Sequence, residues 1–258
     1  MGQALIRGLL ARGVRPAALS ASDLRPAVRR RLQGWRVRAV SDNVEASRRA
    51  DVVVLAVKPQ DIAAVMSQLA PVVRSRQLVV SIAAGVTLRA LESGLPGVPV
   101  VRVMPNLPAT VGEGFSAFAL GCRATAPHRA VARAICEAVG EAVELPERLL
   151  DAVTAVSGSG PAYLFFLAQA WEEAGARLGL PRAVAKRAVR QTLEGSLRLL
   201  RGGRLSPGEW IAKVASKRGT TEAALRVLAR RRVKAHVLEA LRAAAARSRE
   251  LSCTSRAS

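Results

Sequence analysis

The segment at residues 216–221, Ser-Lys-Arg-Gly-Thr-Thr, is the part of the chain whose residue types best suit the binding of an anion. It precedes an Ala- and Leu-rich stretch with helical periodicity, so it predicts the start of a helix. A helix N-terminus presents unpaired backbone N–H groups and the positive end of the helix dipole, which suit a carboxylate. Gly219 lets a ligand approach the backbone closely. From these residues alone, the favoured interpretation is a threonine that caps the helix and binds nothing.

A second group of polar residues follows short apolar segments in the first half of the chain. The segments VVVLAV (52–57), LVVSIAA (78–84) and VPVVRVM (98–104) predict strands, and residues 61–73 and 87–95 predict the helices between them. Apolar strands of this kind indicate burial on both faces, and hence a parallel sheet of the doubly wound α/β type. Ligands bind such sheets beyond the carboxyl ends of the strands.

Residues that suit a nucleotide follow one of these strands and also lie in an earlier segment of the chain. Lys58 is placed to face a phosphate or ribose, although a lysine at a strand end needs no ligand. Residues 15–32 predict another strand, a polar loop and a helix, and Ser20, Ser22 and Arg25 supply the hydroxyl and guanidinium groups that suit the 2′-phosphate of NADP. Asp23 opposes this, because its carboxylate repels a phosphate unless it turns away. An ordinary Asp or Ser helix cap explains the same residues without a nucleotide.

The first residues, MGQALIRGLLARG, predict a helix where a dinucleotide-binding fold has a strand and then a Gly-rich turn. Met1-Gly2 fits the end of a G-x-G-x-x-G pattern, and the helix has the small and apolar spacing of the one that follows such a turn. From these residues alone, a different fold that begins with this helix is an equally good interpretation.

The net charge of +21 raises the question of a nucleic-acid partner. Residues 1–150 carry 20 basic and 11 acidic side chains and residues 151–258 carry 20 and 8, so the excess is spread along the chain. A nucleic-acid footprint needs clustered charge, and eight aromatic residues are few for stacking on bases. We therefore expect no nucleic-acid partner, and an attraction for small anions such as NADPH.

Cysteine and histidine are too sparse for a disulfide framework or a metal site. The three cysteines, Cys122, Cys136 and Cys253, are scattered, and the two histidines are His128 and His236. No apolar run reaches the length of a membrane span, and the first residues do not resemble a signal peptide. We expect a cytoplasmic protein with no metal and no membrane association.

The character of the chain changes near residues 147–150. Before this point, residues 115–120 and 142–146 predict late strands that flank a helix near 128–140. After it come three long helix-periodic stretches, at 161–178, 181–201 and 221–250, without strand signals. The predicted organisation is a dinucleotide-binding domain at 1–148, a helical domain at 149–251 and a disordered tail at 252–258. The apolar helices predict a subunit interface.

Five segments together resemble the pyrroline-5-carboxylate reductases, in the order and spacing of that family across nearly the whole chain. They are LAVKPQD (55–61), SIAAGVTL (81–88), RVMPNLPATVGEG (102–114), DAVTAVSGSGPAY (151–163) and VASKRGTTEAAL (214–225). The resemblance implies a Rossmann-like parallel-sheet domain followed by an all-α dimerisation domain, in a homodimer or larger homo-oligomer. It also implies reduction of 1-pyrroline-5-carboxylate to L-proline by NADPH or NADH, the last step of proline biosynthesis. By the same analogy, a strand and G-x-G of roughly ten residues would precede Met1.

The resemblance also implies the site residues. The positions implied for the cofactor, with NADP preferred, are Met1, Gly2, Ser20, Ser22, Arg25, Asn43, Ala56, Val57, Lys58, Pro59, Ala83, Ala84 and Asn106. The substrate carboxylate is implied to be held by Ser216, Gly219 and Thr220. Thr221 is implied to place the catalytic hydroxyl near the imine nitrogen. Thr221 is implied to serve a neighbouring subunit's cofactor, since the helical domains pair between subunits. The chain departs from the family at Arg218, where the loop usually has Gly, Ala, Asn or Lys.

The chemistry of a cyclic imine explains why no His/Asp pair is needed. The imine is basic and arrives protonated, so orientation and charge complementarity remain the work of the protein. One alternative is another imine reductase or a β-hydroxyacid reductase, although the latter needs a catalytic lysine and residues 161–178 contain none. Others are a non-catalytic dinucleotide-fold protein and a nucleic-acid-binding protein.

Overall fold

The computed structural model describes residues 1–203 and 205–254, with only the backbone at 253 and 254. Contacts divide the chain into two compact units. The first is Met1–Pro161 together with Ala243–Ser258, and the second is Ala162–Arg242. The domain boundary at 148/149 stays a prediction.

The first unit alternates strands and helices as the apolar segments predict. Its strands are β1 (Ser20–Ser22), β2 (Arg38–Val40), β3 (Val52–Leu55), β4 (Leu78–Ser81), β5 (Val100–Met104), β6 (Gly114–Leu120) and β7 (Gly140–Glu144). Its helices are α1 (Gly2–Ala11), α2 (Pro26–Gly34), α3 (Asn43–Ser47), α4 (Ile62–Leu69), α5 (Leu88–Gly94), α6 (Ala126–Glu137) and α7 (Leu150–Val153). Short 3₁₀ turns lie at Pro16–Ala18, Pro59–Asp61, Leu107–Val111 and Glu147–Leu149, and a π-helical turn lies at Thr154–Gly158.

The strands form a parallel pair, β1–β2, and a five-stranded sheet in the order β3-β4-β5-β6-β7. Strands β3, β4 and β5 are parallel, as predicted, and β7 is parallel to β6. Strand β6 runs antiparallel to β5, a direction that the apolar pattern of this late strand does not predict. The reason is the connection, since the single 3₁₀ turn at Leu107–Val111 is too short for a parallel crossover.

The core lies on both faces of the five-stranded sheet. Neighbouring residues of β4 point to opposite faces, so Val79 packs in one apolar cluster and Val80 in the other. All four residues of β4 are buried, whereas Val52, Val53 and Val54 of β3 are only half-buried. Strand β3 is therefore an edge of this sheet in the structure, and β4 is its interior.

The second unit is helical throughout its described part. The remaining helices of the chain are α8 (Gly160–Arg177), α9 (Arg182–Arg201), α10 (Pro207–Val214), α11 (Thr220–Arg230) and α12 (Val233–Thr254). Phe165 and Phe166 of α8 are 62% and 69% exposed. Large apolar side chains on the surface of a helical unit are typical of an oligomer interface.

The predicted disordered tail at 252–258 is wrong at its start. Helix α12 continues through Thr254, because Ser252 is buried within the first unit and ties the chain down there. Residues 255–258 of that prediction lie outside the described residues.

Candidate active site

The N-terminus of α1 lies beside the carboxyl end of β3. A Cβ atom added to Gly2 would lie 3.1 Å from Cβ of Ala56, so the helix start and the residue after β3 are in contact. Met1 is the N-cap residue, and no side-chain hydrogen bond caps this ten-residue helix. Two of the predicted cofactor segments, Met1-Gly2 and the stretch that begins at Ala56, are thus brought together. The first-turn N–H groups and the helix dipole favour a phosphate at this position.

Ser22 and Asn43, predicted separately as cofactor residues, are hydrogen-bonded to each other. Oγ of Ser22 donates to Oδ1 of Asn43 at 2.6 Å, and Nδ2 of Asn43 donates to Oε1 of Gln68 at 2.8 Å. Asn43 begins α3, where the Asp42 side chain caps the helix. Oγ of Ser20 donates instead to the carbonyl of Ala46. The hydroxyl of Ser20 therefore anchors β1 to α3, and Ser22 and Asn43 form the polar pair at the strand end.

Asp23 and Arg25 form a two-pronged ion pair immediately after β1. Nε and Nη2 of Arg25 donate to Oδ1 and Oδ2 of Asp23 at 3.0 and 2.9 Å. These side-chain hydrogen bonds from Arg25 hold the pKa of the Asp23 carboxyl below its usual value, so it stays ionised. The backbone N–H of Arg25 also donates to Oδ1. Asp23 is thus turned to Arg25, and in this arrangement the carboxylate and the guanidinium offset each other's charge.

The residues that follow β3 and β4 differ in exposure. Ala56, Lys58 and Pro59 are exposed and Val57 is half-buried, and Lys58 precedes the 3₁₀ turn at Pro59–Asp61. After β4, Ala83 is only 3% exposed and Ala84 is half-buried. The N–H of Ala83 donates to Oγ of Ser81, which turns the chain at the strand end. Of these two small residues, Ala83 is buried and the half-buried Ala84 is the one whose surface a flat ring can contact.

Asn106 uses both ends of its amide within the protein. Its Oδ1 accepts from the N–H of Phe115 at 2.9 Å, and its Nδ2 donates to Oγ of Ser157 at 3.0 Å. Asn106 therefore fixes the start of β6 and the Gly-rich segment around Ser157. A direct contact with a cofactor stays a prediction for this residue.

A buried ion pair secures the segments beside this site. Nη1 of Arg102 on β5 lies 2.8 Å from Oε1 of Glu147, and the Arg102 side chain is 5% exposed. The same Glu147 oxygen accepts from the N–H of Leu88 at 2.7 Å. One carboxylate thus joins the end of β5 to the first residue of α5, the helix that follows the Ala83–Ala84 turn.

In the second unit, Ser216, Gly219, Thr220 and Thr221 lie at the start of α11. Gly219 is the N-cap residue, Thr220 and Thr221 occupy the first turn, and no side-chain hydrogen bond caps the helix. Glycine, and not a threonine, therefore occupies the N-cap position. A Cβ atom at Gly219 would clash with Oγ of Ser216 and lie 3.0 Å from its carbonyl oxygen, so the glycine lets Ser216 lie close against this helix start. The arrangement gathers hydroxyl groups around backbone amides.

Arg218 adopts an unusual backbone conformation directly before this helix. Its φ is +58°, in the left-handed region that glycine and asparagine favour. Its N–H donates to Oε2 of Glu222, and Oε1 of Glu222 pairs with Arg226 at 2.9 Å. Strained residues of this kind cluster at binding sites. The contacts of Glu222 leave the guanidinium of Arg218 exposed to solvent.

The described residues contain no group of His, Cys, Asp and Glu side chains able to hold a metal ion. Cys136 is buried, and burial raises the pKa of its thiol to about 12, so it is not a nucleophile at neutral pH. Among the same residues, no helix has the length and apolar character required to cross a membrane.

Comparison with known proteins identifies the family. Residues 147–251 match the model for pyrroline-5-carboxylate reductase dimerisation, and residues 1–85 match the model for NADP oxidoreductase, coenzyme F420-dependent. The chain is 44% identical over 255 residues to the pyrroline-5-carboxylate reductase of Pseudomonas aeruginosa, with 97% of this chain and 93% of that protein covered. The chain belongs to the pyrroline-5-carboxylate reductase family. The enzyme of Synechocystis sp. is 43% identical over 217 residues, covering 84% of this chain and 81% of that protein.

Solved structures of pyrroline-5-carboxylate reductases have the same fold. The structure from Coxiella burnetii matches with a TM-score of 0.91 and 32% identity, covering 97% of this chain and 94% of that one. The structure from Plasmodium falciparum, which has NADP bound, matches with a TM-score of 0.86 and 27% identity, covering 98% of this chain and 94% of that one. The predicted fold class, a Rossmann-like domain with a helical dimerisation region, is confirmed.

Several residues of the site region were not singled out from the sequence. Gln68, Arg102 and Glu147 act through contacts between distant segments, and Ser157 bonds to Asn106 across 51 positions. The one available signal was Arg102, a charged residue inside an apolar strand, which predicts a buried partner. Spacing alone does not identify that partner as Glu147, 45 residues away.

Proposed function

We propose that the chain reduces 1-pyrroline-5-carboxylate to L-proline with NAD(P)H, as a member of the pyrroline-5-carboxylate reductase family. The observation that carries the proposal is the start of α11, where Gly219 at the N-cap position leaves the first-turn amides without a side-chain cap. Such a site suits a small carboxylate, and the neighbouring hydroxyls of Ser216, Thr220 and Thr221 suit the polar remainder of an imino acid.

The first unit has features that fit a dinucleotide. The close approach of Gly2 to Ala56 leaves no room for a larger side chain at the start of α1, where backbone N–H groups favour a pyrophosphate. The polar pair Ser22–Asn43 suits the adenosine ribose, and Ala83 and Ala84 suit the nicotinamide ring. When bound, NAD(P)H supplies the hydride.

The second unit supplies the residues that bind and orient the imine. In our proposal, the N–H groups at residues 219–221 and Oγ of Ser216 hold the carboxylate, and the hydroxyl oxygen of Thr221 accepts a hydrogen bond from the N–H of the protonated imine. Because the imine arrives protonated, the protein needs no strong general acid. Its contribution is to bind the imine by its carboxylate and its nitrogen in one orientation.

The simplest test is an assay of the full chain with 1-pyrroline-5-carboxylate and NADPH, followed by the loss of reduced-nicotinamide absorbance and the appearance of proline. We expect turnover with the cyclic imino acid and none with a β-hydroxyacid and NADP in the reverse direction. Oxidation of the hydroxyacid without reduction of the imine would support the rival chemistry and contradict the proposal.

We propose NADP as the preferred cofactor, with the Asp23–Arg25 pair as the determinant. Arg25 follows Ser22 by three positions, and Asp23 holds its guanidinium by two hydrogen bonds. The Asp23→Asn substitution removes the negative charge that opposes a 2′-phosphate and loosens Arg25. We expect it to raise the NADPH/NADH ratio of kcat/KM by about tenfold, equivalent to roughly 1.4 kcal/mol of selective binding.

The matched substitution is Arg25→Ala, which should lower the same ratio while the KM for NADH changes little. Arg38→Ala is the control, since Arg38, on the adjacent strand β2, is an exposed arginine paired with Glu45 of α3. If kcat/KM changed equally for NADPH and NADH in both Asp23→Asn and Arg25→Ala, the Asp23–Arg25 pair would support the fold and would not recognise the 2′-phosphate.

The match to the dimerisation model supports assembly through the helical domain, and we propose a homodimer or a larger homo-oligomer. The exposed Phe165 and Phe166 are the kind of residues such an interface covers. A cytoplasmic location is also a proposal, supported by the free thiols of Cys122 and Cys136.

A further inference from the structure

Two buried serines mark the C-terminal turns of α12. Ser248 is 5% exposed and Ser252 is 8% exposed, whereas Arg247, Arg249 and Glu250 beside them face solvent. This part of the helix belongs to the first unit, whose second chain segment starts at Ala243. The end of α12 is therefore packed on the same unit that carries the proposed cofactor residues.

Ser248 makes the first specific contact. Its Oγ donates to Oδ1 of Asp151 at 2.6 Å, across 97 positions of the chain. Asp151 lies in α7, next to the fully buried Leu150 of the core. A short hydrogen bond from a hydroxyl to a carboxylate is among the stronger kinds in proteins. It fixes the end of α12 to a rigid part of the first unit.

Leu251 makes the second contact, on the loop that follows β4. Gly85 in this loop is buried and has a φ of +76°. A Cβ atom at Gly85 would lie 3.2 Å from Cβ of Leu251 and 3.4 Å from its carbonyl carbon. The helix backbone thus lies directly against the loop, although the Leu251 side chain is 45% exposed.

The loop that Leu251 touches is short and is held at both ends. At one end, Oγ of Ser81 accepts from the N–H of Ala83. At the other end, Thr87 caps α5 by accepting from the N–H of Ala90, and Glu147 accepts from the N–H of Leu88. Its middle, at Gly85, lies against α12. Ala83 and Ala84 are located between the first anchor and this contact.

We propose that Ser248 and the backbone at Leu251 are positioning residues, which hold the loop so that the half-buried Ala84, beside the buried Ala83, presents one fixed surface to the nicotinamide ring. This inference rests on the proposed function, because it assigns the loop to the cofactor. Holding the loop before the cofactor arrives lowers the entropy lost on binding, so the effect falls on cofactor affinity and not on the chemical step.

The test is the Ser248→Ala substitution in the full chain. The lost bond should raise the KM and the directly titrated Kd for NADPH by roughly five- to tenfold, as expected for one hydrogen bond to a charged group. At saturating NADPH, kcat should stay within about twofold of the unaltered chain, because the positioning residues touch no reacting atom. Amide exchange at residues 82–87 should become faster without cofactor.

Three further variants make the test decisive. Asp151→Asn keeps an acceptor oxygen for Ser248 and should show a smaller rise in Kd than Ser248→Ala. A chain ending at Arg249 keeps the Ser248 bond but removes Leu251, and should speed exchange around Gly85. Arg247 is an exposed neighbour paired with Glu250, and Arg247→Ala should change neither the Kd for NADPH nor the amide exchange of the loop.

Unchanged loop exchange and NADPH affinity in Ser248→Ala would overturn the proposal. A fall in kcat and melting temperature without a change in Kd would also overturn it, by giving Ser248 a purely structural role. If the unaltered chain binds NADPH but does not reduce 1-pyrroline-5-carboxylate, the proposed substrate is wrong. The exchange and affinity measurements then still decide the role of Ser248.

Discussion

Thr221→Ala is expected to lower kcat by about 10²-fold, the usual cost of removing one hydrogen-bonding group from a transition state. The hydroxyl of Thr221 lies in the first turn of α11, one residue beyond the exposed Thr220. In the proposed mechanism it stabilises the nitrogen as the C=N bond is reduced. The dissociation constant for NADPH should change less than about twofold, because Thr221 is assigned to the imine.

Two substitutions separate the hydroxyl from the backbone around it. Thr221→Ser keeps the hydroxyl and should retain most of the activity. Thr220→Ala removes a group assigned to the carboxylate, so it should raise the KM for 1-pyrroline-5-carboxylate more than it lowers kcat. A Thr221→Ala variant that lost only NADPH affinity, with kcat intact, would show that the role assigned to Thr221 is wrong.

The helix start at Thr220 illustrates how far the sequence alone leads. Helical periodicity after residue 220 and the glycine before it predict a helix N-terminus there, and the structure confirms it. The same segment does not reveal that Ser216 folds back on Gly219, or that Arg218 takes a positive φ. Both depend on the path of the preceding chain, which short-range residue preferences do not determine.

The strands show the same division. The valine-rich segments predict β3, β4 and β5 because continuous apolar residues suit strands buried on both faces. Strand β2, three residues at Arg38–Val40, is too short to leave a pattern. The antiparallel direction of β6 follows from the length of one connection, which the apolar pattern does not report.

Contacts between distant segments account for what the sequence leaves undetermined in the site. Ser22 and Asn43 are each suited to a nucleotide by type, but their hydrogen bond depends on the packing of α3 beside β1. The partner of Asp151 is Ser248, in a helix whose periodicity shows only that it is helical. Such pairs are chosen by the tertiary fold, and residue spacing along the chain does not predict them.

Glu147→Ala is expected to lower the free energy of unfolding by about 3 kcal/mol, because it leaves a buried charge without its partner. The guanidinium of Arg102 is almost fully buried, and the same Glu147 oxygen also accepts from the N–H of Leu88. Denaturant unfolding at one fixed protein concentration measures the change, with the m-value as the check on two-state behaviour.

Replacing the other partner, Arg102, should lower the free energy of unfolding much less than Glu147→Ala does. This difference between the two substitutions is the sharper test. In Arg102→Met, an apolar side chain of similar length fills the buried position, while Glu147, whose side chain is 31% exposed, is still solvated and still accepts from Leu88. We expect a loss of about 1 kcal/mol or less, with Glu147→Gln between the two. An Arg102→Met variant less stable than Glu147→Ala would contradict this account. It would mean that the guanidinium itself, through packing along its stem, carries the stability of this region.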